Sequence, residues 1–318
     1  MSTAELSLKL SNRSPKQQIK RLPPSVDLPN DATVEDAKIA VARKVGIADH
    51  NQIGLFDPTT KKTLKDRKAL LRDLKYEELL VKDLGPQLAW RTVFLIEYFG
   101  PLLFHPLFLG LRSYIYPALY PYVKNYVSEP NSGNALSLSQ KLTFGCVLLH
   151  FLKREYETAF VHRFSASTMP FWNIFRNSFF YWAVAGLLAA FEVYAPFSPA
   201  AHAKNHAIDA LGLALFAFGE TGNFMVHKYL SSLRSPGGTE RQIPKGLGFG
   251  LVTSPNYMYE QLAWAGVILI SRSPSVALFI SIGMYYMFIW GKGKERAYRK
   301  EFGDKYKKKR YVMLPGLL

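Results

Sequence analysis

Residues 93–111 read VFLIEYFGPLLFHPLFLGL and contain one acid, Glu97, and one histidine, His105. As an α-helix this run is about 28 Å long, which matches the hydrocarbon core of a bilayer. Further apolar stretches lie at 142–152 with its flanks, 177–195, 207–226 and 259–290. The last is long enough for two helices, and Arg272 and Pro274 in its middle predict a hairpin. The sequence therefore predicts a multi-span α-helical membrane protein with about six transmembrane helices.

The net charge of +16 is unevenly distributed along the chain. Residues 1–91 contain 17 Lys and Arg against 12 Asp and Glu, residues 92–290 contain 13 against 9, and residues 291–318 contain 10 against 3. A polar head, an apolar body and a basic tail are thus averaged in the overall composition. The single cysteine, Cys146, excludes an intramolecular disulfide and suits a reducing compartment.

These patterns predict a cytosolic domain at 1–80, a linker at 81–92 and a membrane-embedded domain at 93–318 with a basic tail. Basic residues beside a span mark its cytoplasmic end, so we expect the tail in the cytosol. The head carries no secretory signal, so we expect the N-terminus there too. No nucleic-acid recognition motif accompanies the tail, and we expect it to contact lipid headgroups or a phosphorylated small ligand instead.

The polar head shows the signals of a small domain with strands and one helix. Leu6, Leu8 and Leu10 alternate with polar residues as in a half-buried strand. Thr33 and Asp36 have the spacing of a capping box, and Gly46 suits the end of the same helix. Residues 52–56 read as a further strand. This order resembles a ubiquitin-like β-grasp domain, and because it holds no catalytic constellation we expect a docking or regulatory module.

Ionisable side chains in the apolar body are functional candidates, because each costs a few kcal/mol at membrane depth. With the polar residues beside them they form four groups: Gln87, Trp90, Arg91, Glu97 and Tyr98; His150, Lys153, Arg154, Glu155, Glu157, His162 and Arg163; Glu220, Asn223, His227, Arg234 and Arg241; and Ser254 to Glu260 with Lys292, Arg296, Tyr298 and Arg310. The excess of cations favours a polyphosphate ligand. A salt bridge between Glu97 and Arg154 and a packing role for His150 are the simpler alternatives.

Two kinds of site are not supported by the sequence. No His or carboxylate pair has metal-ligand spacing, so we expect no metal. No glycine-rich Rossmann or P-loop motif occurs, so a bound nucleotide would have to be held by the membrane helices and their cytosolic loops.

Several short motifs resemble the steroid 5α-reductase superfamily and, within it, the very-long-chain trans-2-enoyl-CoA reductases. These are Asp83–Gln87, Phe160–Ser165, Thr168–Pro170, Gly222–Phe224, Ser254–Glu260, Trp290–Lys294 and the segment from Tyr298 to Pro315. The resemblance covers nearly the whole chain, including the ubiquitin-like head that the steroid enzymes lack.

The resemblance implies reduction of the C2=C3 double bond of a long-chain trans-2-enoyl-CoA by NADPH at the endoplasmic reticulum membrane. It implies catalytic roles for Tyr257, Gln87 and Glu97, with Tyr257 as the proton donor. It places around NADPH the residues Asn223, Arg234, Asn256, Glu260, Tyr298 and Arg310. We expect the basic second group to meet the substrate through His150, Lys153, Arg154 and His162. The implied protein partners are the condensing enzyme, ketoreductase and dehydratase of fatty acid elongation.

Three alternatives remain open on the sequence. Tyr259 stands two residues from Tyr257 and is a second candidate donor. The steroid enzymes place a catalytic Tyr directly after a His, whereas Phe151 follows His150 in this chain. This departure disfavours a steroid or polyprenol substrate without excluding one. A non-enzymatic membrane adaptor that recruits partners through its head is the third reading.

Overall fold

A computed structural model describes residues 5–15, 18–130, 135–164, 167–235, 241–307, 309 and 311–317. These residues form two compact units. The first runs to Thr92 and includes Phe164–Asn173, whereas the second begins at Val93 and contains most of the helices. Arg310, predicted to contact NADPH, and Ser165 of one family motif lie outside the described residues.

The first unit contains a four-stranded mixed sheet with one helix packed on it. Its elements are β1 (Glu5–Asn12), β2 (Ser25–Pro29), α1 (Val34–Val45), β3 (Ile53–Phe56), α2 (Leu71–Leu74) and β4 (Glu78–Asp83). The sheet order is β2-β1-β4-β3, with β1 parallel to β4 and the other pairs antiparallel. Alternate residues of β1, Leu8 and Leu10, are buried against Val34 and Val41 of α1 in one apolar core.

Both predicted ends of α1 are confirmed. The backbone nitrogen of Thr33 donates to Asp36 Oδ2 at 2.8 Å, and Asp36 N donates to Thr33 Oγ1 at 3.2 Å, which completes the capping box. Gly46 ends the helix at φ 79°, a left-handed conformation that glycine adopts without strain.

Lys38 is a buried cation on α1 and gives the first unit a distinct pH dependence. Burial lowers the pKa of Lys38 from 10.5 to about 8, and the nearby Arg67 guanidinium contributes to this lowering. Between these two pH values the unfolded chain binds more protons than the folded chain. The free energy of unfolding of the first unit is therefore expected to rise as the pH increases from about 8 towards 10.5.

Lys38→Met should raise that free energy at pH 7 by roughly 1–2 kcal/mol, a value reduced for the water that reaches the ammonium end. The substitution should also abolish the alkaline rise. Pulse proteolysis in urea measures both effects, with Lys44→Met on the exposed face of α1 as the matched control. Equal unfolding free energies for the Lys38 and Lys44 variants would contradict this interpretation.

The segment after β4 continues into a short strand, which pairs with a distant segment of the chain, and then into a long helix. Strand β5 (Gln87–Ala89) pairs antiparallel with β6 (Thr168–Pro170), and α3 (Trp90–Gly110) follows directly. Residues 81–92 thus hold the end of β4, all of β5 and the first turn of α3.

Helices make up most of the second unit, and several are joined end to end. After α3 these are α4 (Arg112–Val123), α5 (Leu138–Tyr156) with a π-helical turn at Glu157–Val161, α6 (Asn173–Phe179), a π-helix at Phe180–Leu188, α7 (Ala189–Val193), α8 (His206–Ser232), α9 (Pro255–Ser271) and α10 (Pro274–Phe302), with a 3₁₀ turn at Gly303–Lys305. The predicted hairpin break is confirmed, because Arg272 adopts a left-handed conformation between α9 and α10.

Three of these helical stretches are long and apolar enough to cross a membrane by length and composition: Trp90–Gly110, Asn173–Val193 and Pro274–Lys305. The other segments predicted to span are helical too, but they are shorter or more polar. Six spans therefore stay a prediction.

Glycines bring α8 and α9 into close contact. A Cβ atom at Gly219 would overlap the backbone nitrogen of Ala263, and one at Gly222 would overlap the ring of Tyr259. Gly266 on α9 makes the same kind of approach to the Gly212 carbonyl on α8. Small residues at such positions let two backbones pack directly. The polar side chains of α8 and α9 that belong to the candidate active site lie along this close α8–α9 contact, the α8–α9 seam.

Candidate active site

Polar side chains of α5, α8 and α9 form a buried network in the second unit. His150 Nδ1 lies 2.6 Å from Glu220 Oε1, and Lys153 Nζ lies 2.7 Å from Glu220 Oε2. Lys153 Nζ also donates to Asn223 Oδ1 at 2.6 Å. The Glu220 carboxylate and the Asn223 amide of α8 thereby connect to His150 and Lys153 of α5.

Glu260 extends this network to α9. Asn223 Nδ2 donates to Glu260 Oε2 and to the Asn256 carbonyl oxygen, each at 2.9 Å. The other carboxylate oxygen of Glu260 lies 3.4 Å from His150 Nε2 and accepts from Trp264 Nε1 at 3.3 Å. The structure therefore brings together five residues that the sequence singled out on three separate segments: His150, Lys153, Asn223, Asn256 and Glu260.

Helical spacing explains why these side chains can meet. His150 and Lys153 are three residues apart on α5, Glu220 and Asn223 are three apart on α8, and Asn256 and Glu260 are four apart on α9. Residues three or four apart lie on the same helix face. Each helix thus presents a polar pair to the common seam.

A second cluster surrounds Arg154, the next residue on α5. Arg154 Nη1 lies 2.6 Å from Glu157 Oε2, and Nη2 donates to the Tyr98 hydroxyl of α3 at 2.9 Å. His227 Nδ1 of α8 lies 3.0 Å from Glu157 Oε1. Glu157 begins the π-helical turn, where the wider backbone departs from α-helical spacing. Lys153 Nζ, 3.8 Å from Glu157 Oε1, connects the two clusters.

Three potential metal ligands converge in the second cluster, which the sequence spacing did not reveal. Ligand atoms of Glu157, His162 and His227 lie within 4.8 Å of one another. Arg154 Nη1 already lies 2.6 Å from Glu157, 3.3 Å from His227 Nδ1 and 3.5 Å from His162 Nε2. A cationic guanidinium at this position opposes a divalent metal, so the group supports no metal site.

Glu97 on α3 is almost fully buried, and its hydrogen-bonding partner is a residue other than the expected Arg154. Arg154 pairs closely with Glu157, and among the described residues Glu97 and Arg154 form no salt bridge within 4.0 Å, although the two charges still interact electrostatically. The Glu97 carboxylate interacts with the Asn177 side chain instead. Its Oε1 atom is buried with no hydrogen-bond partner among the described residues.

The two candidate tyrosines point in different directions from α9. The ring of Tyr257 is half-buried and lies under Lys294 of α10, whose Nζ is 4.2 Å from the ring centroid. The ring of Tyr259 packs against Gly222 and the edge of Phe218 on α8. Tyr259 is thus a packing residue of the α8–α9 seam, whereas Tyr257 stands on another face beside a cation.

The remaining predicted residues are more dispersed. Gln87 belongs to the first unit, where its side-chain nitrogen donates to the carbonyls of Leu84 at 3.1 Å and Gly85 at 3.2 Å. Arg234 Nη1 donates to the Arg163 carbonyl at 2.7 Å. Tyr298 stacks on Tyr306 and interacts electrostatically with Arg234.

Several residues complete the clusters although no specific site role was predicted for them from the sequence. Glu220, Glu157 and His227 were noted as intramembrane ionisable groups, and the cost of burying them was the available signal. Tyr98, which accepts from Arg154, was noted with the first group, whereas Trp264, which donates to Glu260, lies in an apolar run and carries no such signal. Lys294 lies in a quoted motif, yet only the structure shows it against Tyr257.

The buried polar clusters lie in a unit with long apolar helices, and comparison with known proteins identifies the class of protein, a membrane oxidoreductase. Residues 167–318 match the model of the 3-oxo-5-alpha-steroid 4-dehydrogenase family. A very-long-chain enoyl-CoA reductase of Dictyostelium discoideum is 40% identical over 76% of this chain and 74% of its own length. A putative enoyl reductase of Schizosaccharomyces pombe is 37% identical over 98% of this chain and 100% of its own.

A probable very-long-chain enoyl-CoA reductase of Caenorhabditis elegans is 35% identical over 90% of this chain and 91% of its own length. These identities extend through both units of the chain. The chain belongs to the very-long-chain enoyl-CoA reductase family.

Proposed function

We propose that this chain reduces the C2=C3 double bond of long-chain and very-long-chain trans-2-enoyl-CoA with NADPH, the last step of a fatty acid elongation cycle. The observation that carries the proposal is a buried acceptor at the start of α9. Asn256 Oδ1 has no hydrogen-bond partner among the described residues, although it stands next to Tyr257. Buried polar atoms are normally paired, so this atom calls for a ligand that donates a hydrogen bond. The carboxamide of a nicotinamide is such a donor.

The residues present fit NADPH. Asn256, Asn223 and Glu260 offer amide and carboxylate groups for the nicotinamide end. Arg234 and Tyr298, which lie close enough to interact, would hold part of the remainder together with Arg310. When bound, NADPH supplies the hydride that C3 receives.

The chain itself has to supply the proton and stabilise developing charge. The Tyr257 hydroxyl would give its proton to C2, because a phenol is protonated at neutral pH and acts as a general acid. The ammonium of Lys294 over the ring stabilises the phenolate that remains until a solvent proton replaces the lost one. Roles for Gln87, as a donor to the thioester oxygen, and for Glu97 stay predictions from the family resemblance.

The position next to His150 supports an acyl-CoA substrate over a steroid. Phe151 is fully buried, and its ring meets the rings of His150 at 4.9 Å and Trp264 at 6.1 Å. It provides no hydroxyl at the place where the steroid enzymes, by the resemblance, carry a catalytic Tyr.

Isotope transfer tests the proposed reaction directly. With NADPH deuterated at the transferable position, the purified chain should convert a trans-2-enoyl-CoA to a saturated acyl-CoA labelled at C3. In deuterated water with ordinary NADPH, the label should appear at C2. Mass spectrometry of the acyl-CoA distinguishes these products, and a steroid enone is the comparison substrate. Absence of any saturated acyl-CoA, or faster turnover of the steroid, would overturn the proposal.

The proposed function also implies an architecture for the whole chain. We propose that the first unit is a ubiquitin-like β-grasp domain, supported by its strand order and the helix packed on the sheet. Six spans would place both termini on the cytosolic side of an endoplasmic reticulum membrane. These spans would be formed by α3, α5, α6 together with α7, α8, α9 and α10. The condensing enzyme, ketoreductase and dehydratase of elongation are the proposed partners, because they form the substrate.

A further inference from the structure

The part of the chain that follows α10, the C-terminal tail in the narrower sense of the described residues after Phe302, returns to the turn that begins α9. Val252 and Tyr311 form a parallel β-bridge. The backbone nitrogen of Thr253 donates to the Tyr311 carbonyl at 3.2 Å, and that of Ser254 donates to the Val312 carbonyl at 2.9 Å. The residues immediately before Asn256 and Tyr257 are therefore held by the tail.

Close packing fixes this tail against α10. A Cβ atom at Gly291 would overlap the side chain of Val312, so the glycine leaves the space that Val312 fills. Met313 is fully buried, and Val312 and Leu314 pack against the apolar core of the second unit. Residues 312–314 are thus part of the folded body of the second unit.

Glu295 on α10 joins three segments at this place. Its carboxylate is buried and accepts from Thr253 Oγ1 at 2.7 Å, from the Tyr306 hydroxyl at 2.6 Å and from the backbone nitrogen of Lys309 at 3.2 Å. A buried carboxylate is tolerated where several donors satisfy it. Here the donors come from the turn before α9 and from the tail, so one side chain couples both to α10.

The first turn of α9 has no side-chain cap of its own. Ser254 precedes Pro255 at the helix start, and its hydroxyl makes no capping hydrogen bond. Beside the bond from Asn223 to the Asn256 carbonyl, the contacts that hold this helix end are therefore its backbone contacts with the tail and the bond from Thr253 to Glu295. Asn256, Tyr257 and Glu260 all lie within the first two turns that these contacts hold.

We propose that Glu295 is a positioning residue that fixes the start of α9 by tying the tail and Thr253 to α10. The inference rests on the proposed function, because it assigns Glu295 to the placement of Tyr257 and Asn256 in that reaction. Among the described residues, Glu295 makes no hydrogen bond to either of these residues or to the network on α5 and α8. Misplacement of reacting groups by about 1 Å can lower a rate by two orders of magnitude.

The test compares Glu295→Ala, Glu295→Gln and the control Asp304→Asn, an exposed acid just beyond α10. Glu295→Ala should lower kcat for enoyl-CoA reduction by about 10- to 100-fold. Hydrogen exchange of peptides covering residues 252–260 should be faster in the same variant. Glu295→Gln should recover most of both, because its amide oxygen still accepts from Thr253 and Tyr306. The control should match the parent chain.

Parent-like exchange at 252–260 in Glu295→Ala would overturn the inference, and so would equal impairment of the Ala and Gln variants. If Glu295→Ala does not fold, Tyr306→Phe removes one donor while keeping its ring, and it should show the same faster exchange. If the parent chain reduces no enoyl-CoA, the proposed function fails, while the exchange comparison still decides the role of Glu295.

Discussion

Tyr257→Phe is expected to lower kcat for enoyl-CoA reduction by about 10²- to 10⁴-fold, the usual contribution of a positioned general acid. Tyr259→Phe should change kcat by less than about twofold, since loss of an uninvolved surface or packing hydroxyl is nearly neutral. Both substitutions remove one hydroxyl and keep the ring. The ring at position 257 would still lie under Lys294, and the ring at position 259 would still fill the space beside Gly222.

The two variants form a matched pair because the helix, the residue type and the chemical change are the same. The measurement is steady-state kinetics together with NADPH binding by fluorescence, which should stay close to the parent in both. A large loss of kcat in the Tyr259 variant with a normal Tyr257 variant would assign the donor to Tyr259. Equal, small effects in both would show that no tyrosine of α9 donates the proton.

Lys294 provides an additional check on the same assignment. If its ammonium stabilises the phenolate of Tyr257, its removal should matter only while that hydroxyl is present. Lys294→Met should therefore lower kcat in the parent chain and have little further effect in the Tyr257→Phe background.

Local features of the chain could be predicted from the sequence because neighbouring residues decide them. The capping box at Thr33 and Asp36, the left-handed Gly46 and the break between α9 and α10 each depend on a few adjacent residues. Their chemistry is sufficient to specify a turn or a helix end.

Contacts between distant segments could not be predicted in the same way. The burial cost of a charge predicts that Arg154 needs an acidic partner. From the sequence alone, Glu97 and Glu157 are equally suitable partners. The structure selects Glu157, one helical turn away, and leaves Glu97 beside Asn177. The choice depends on where α3 and α5 lie relative to each other. The spacing of residues along the sequence does not determine that arrangement.

The tail illustrates a second kind of limit. The basic residues of the tail predict on which side of the membrane it lies. They give no sign that apolar residues beyond them are packed against the helices. Met313 is buried, and the partly buried Val312 fits against α10 because Gly291 leaves room for it, a complementarity visible only when both segments are placed. Likewise, the pairing of β5 with β6 joins segments that are about 80 residues apart in the chain.

Lys153→Met is expected to destabilise the second unit by about 3–5 kcal/mol, the usual cost of removing one member of a buried ion pair. The loss is large because Glu220 would keep a buried negative charge without the ammonium that lies 2.7 Å from it. Asn223 Oδ1 would lose its donor as well. Unfolding in detergent, followed by the exposure of the buried thiol of Cys146, measures this change.

The double variant Lys153→Met with Glu220→Gln separates a structural role from a ligand-binding role. Removing both charges restores neutrality, so most of the stability should return. If Lys153 also meets a phosphate of the substrate, KM for enoyl-CoA should stay raised in the double variant although the protein is folded. If Lys153 interacts only with protein groups (Glu220, Asn223 and Glu157), KM should return with the stability, and the prediction that Lys153 binds substrate would be wrong. The structure makes this distinction necessary, because Lys153 and Arg154 each already have a carboxylate partner.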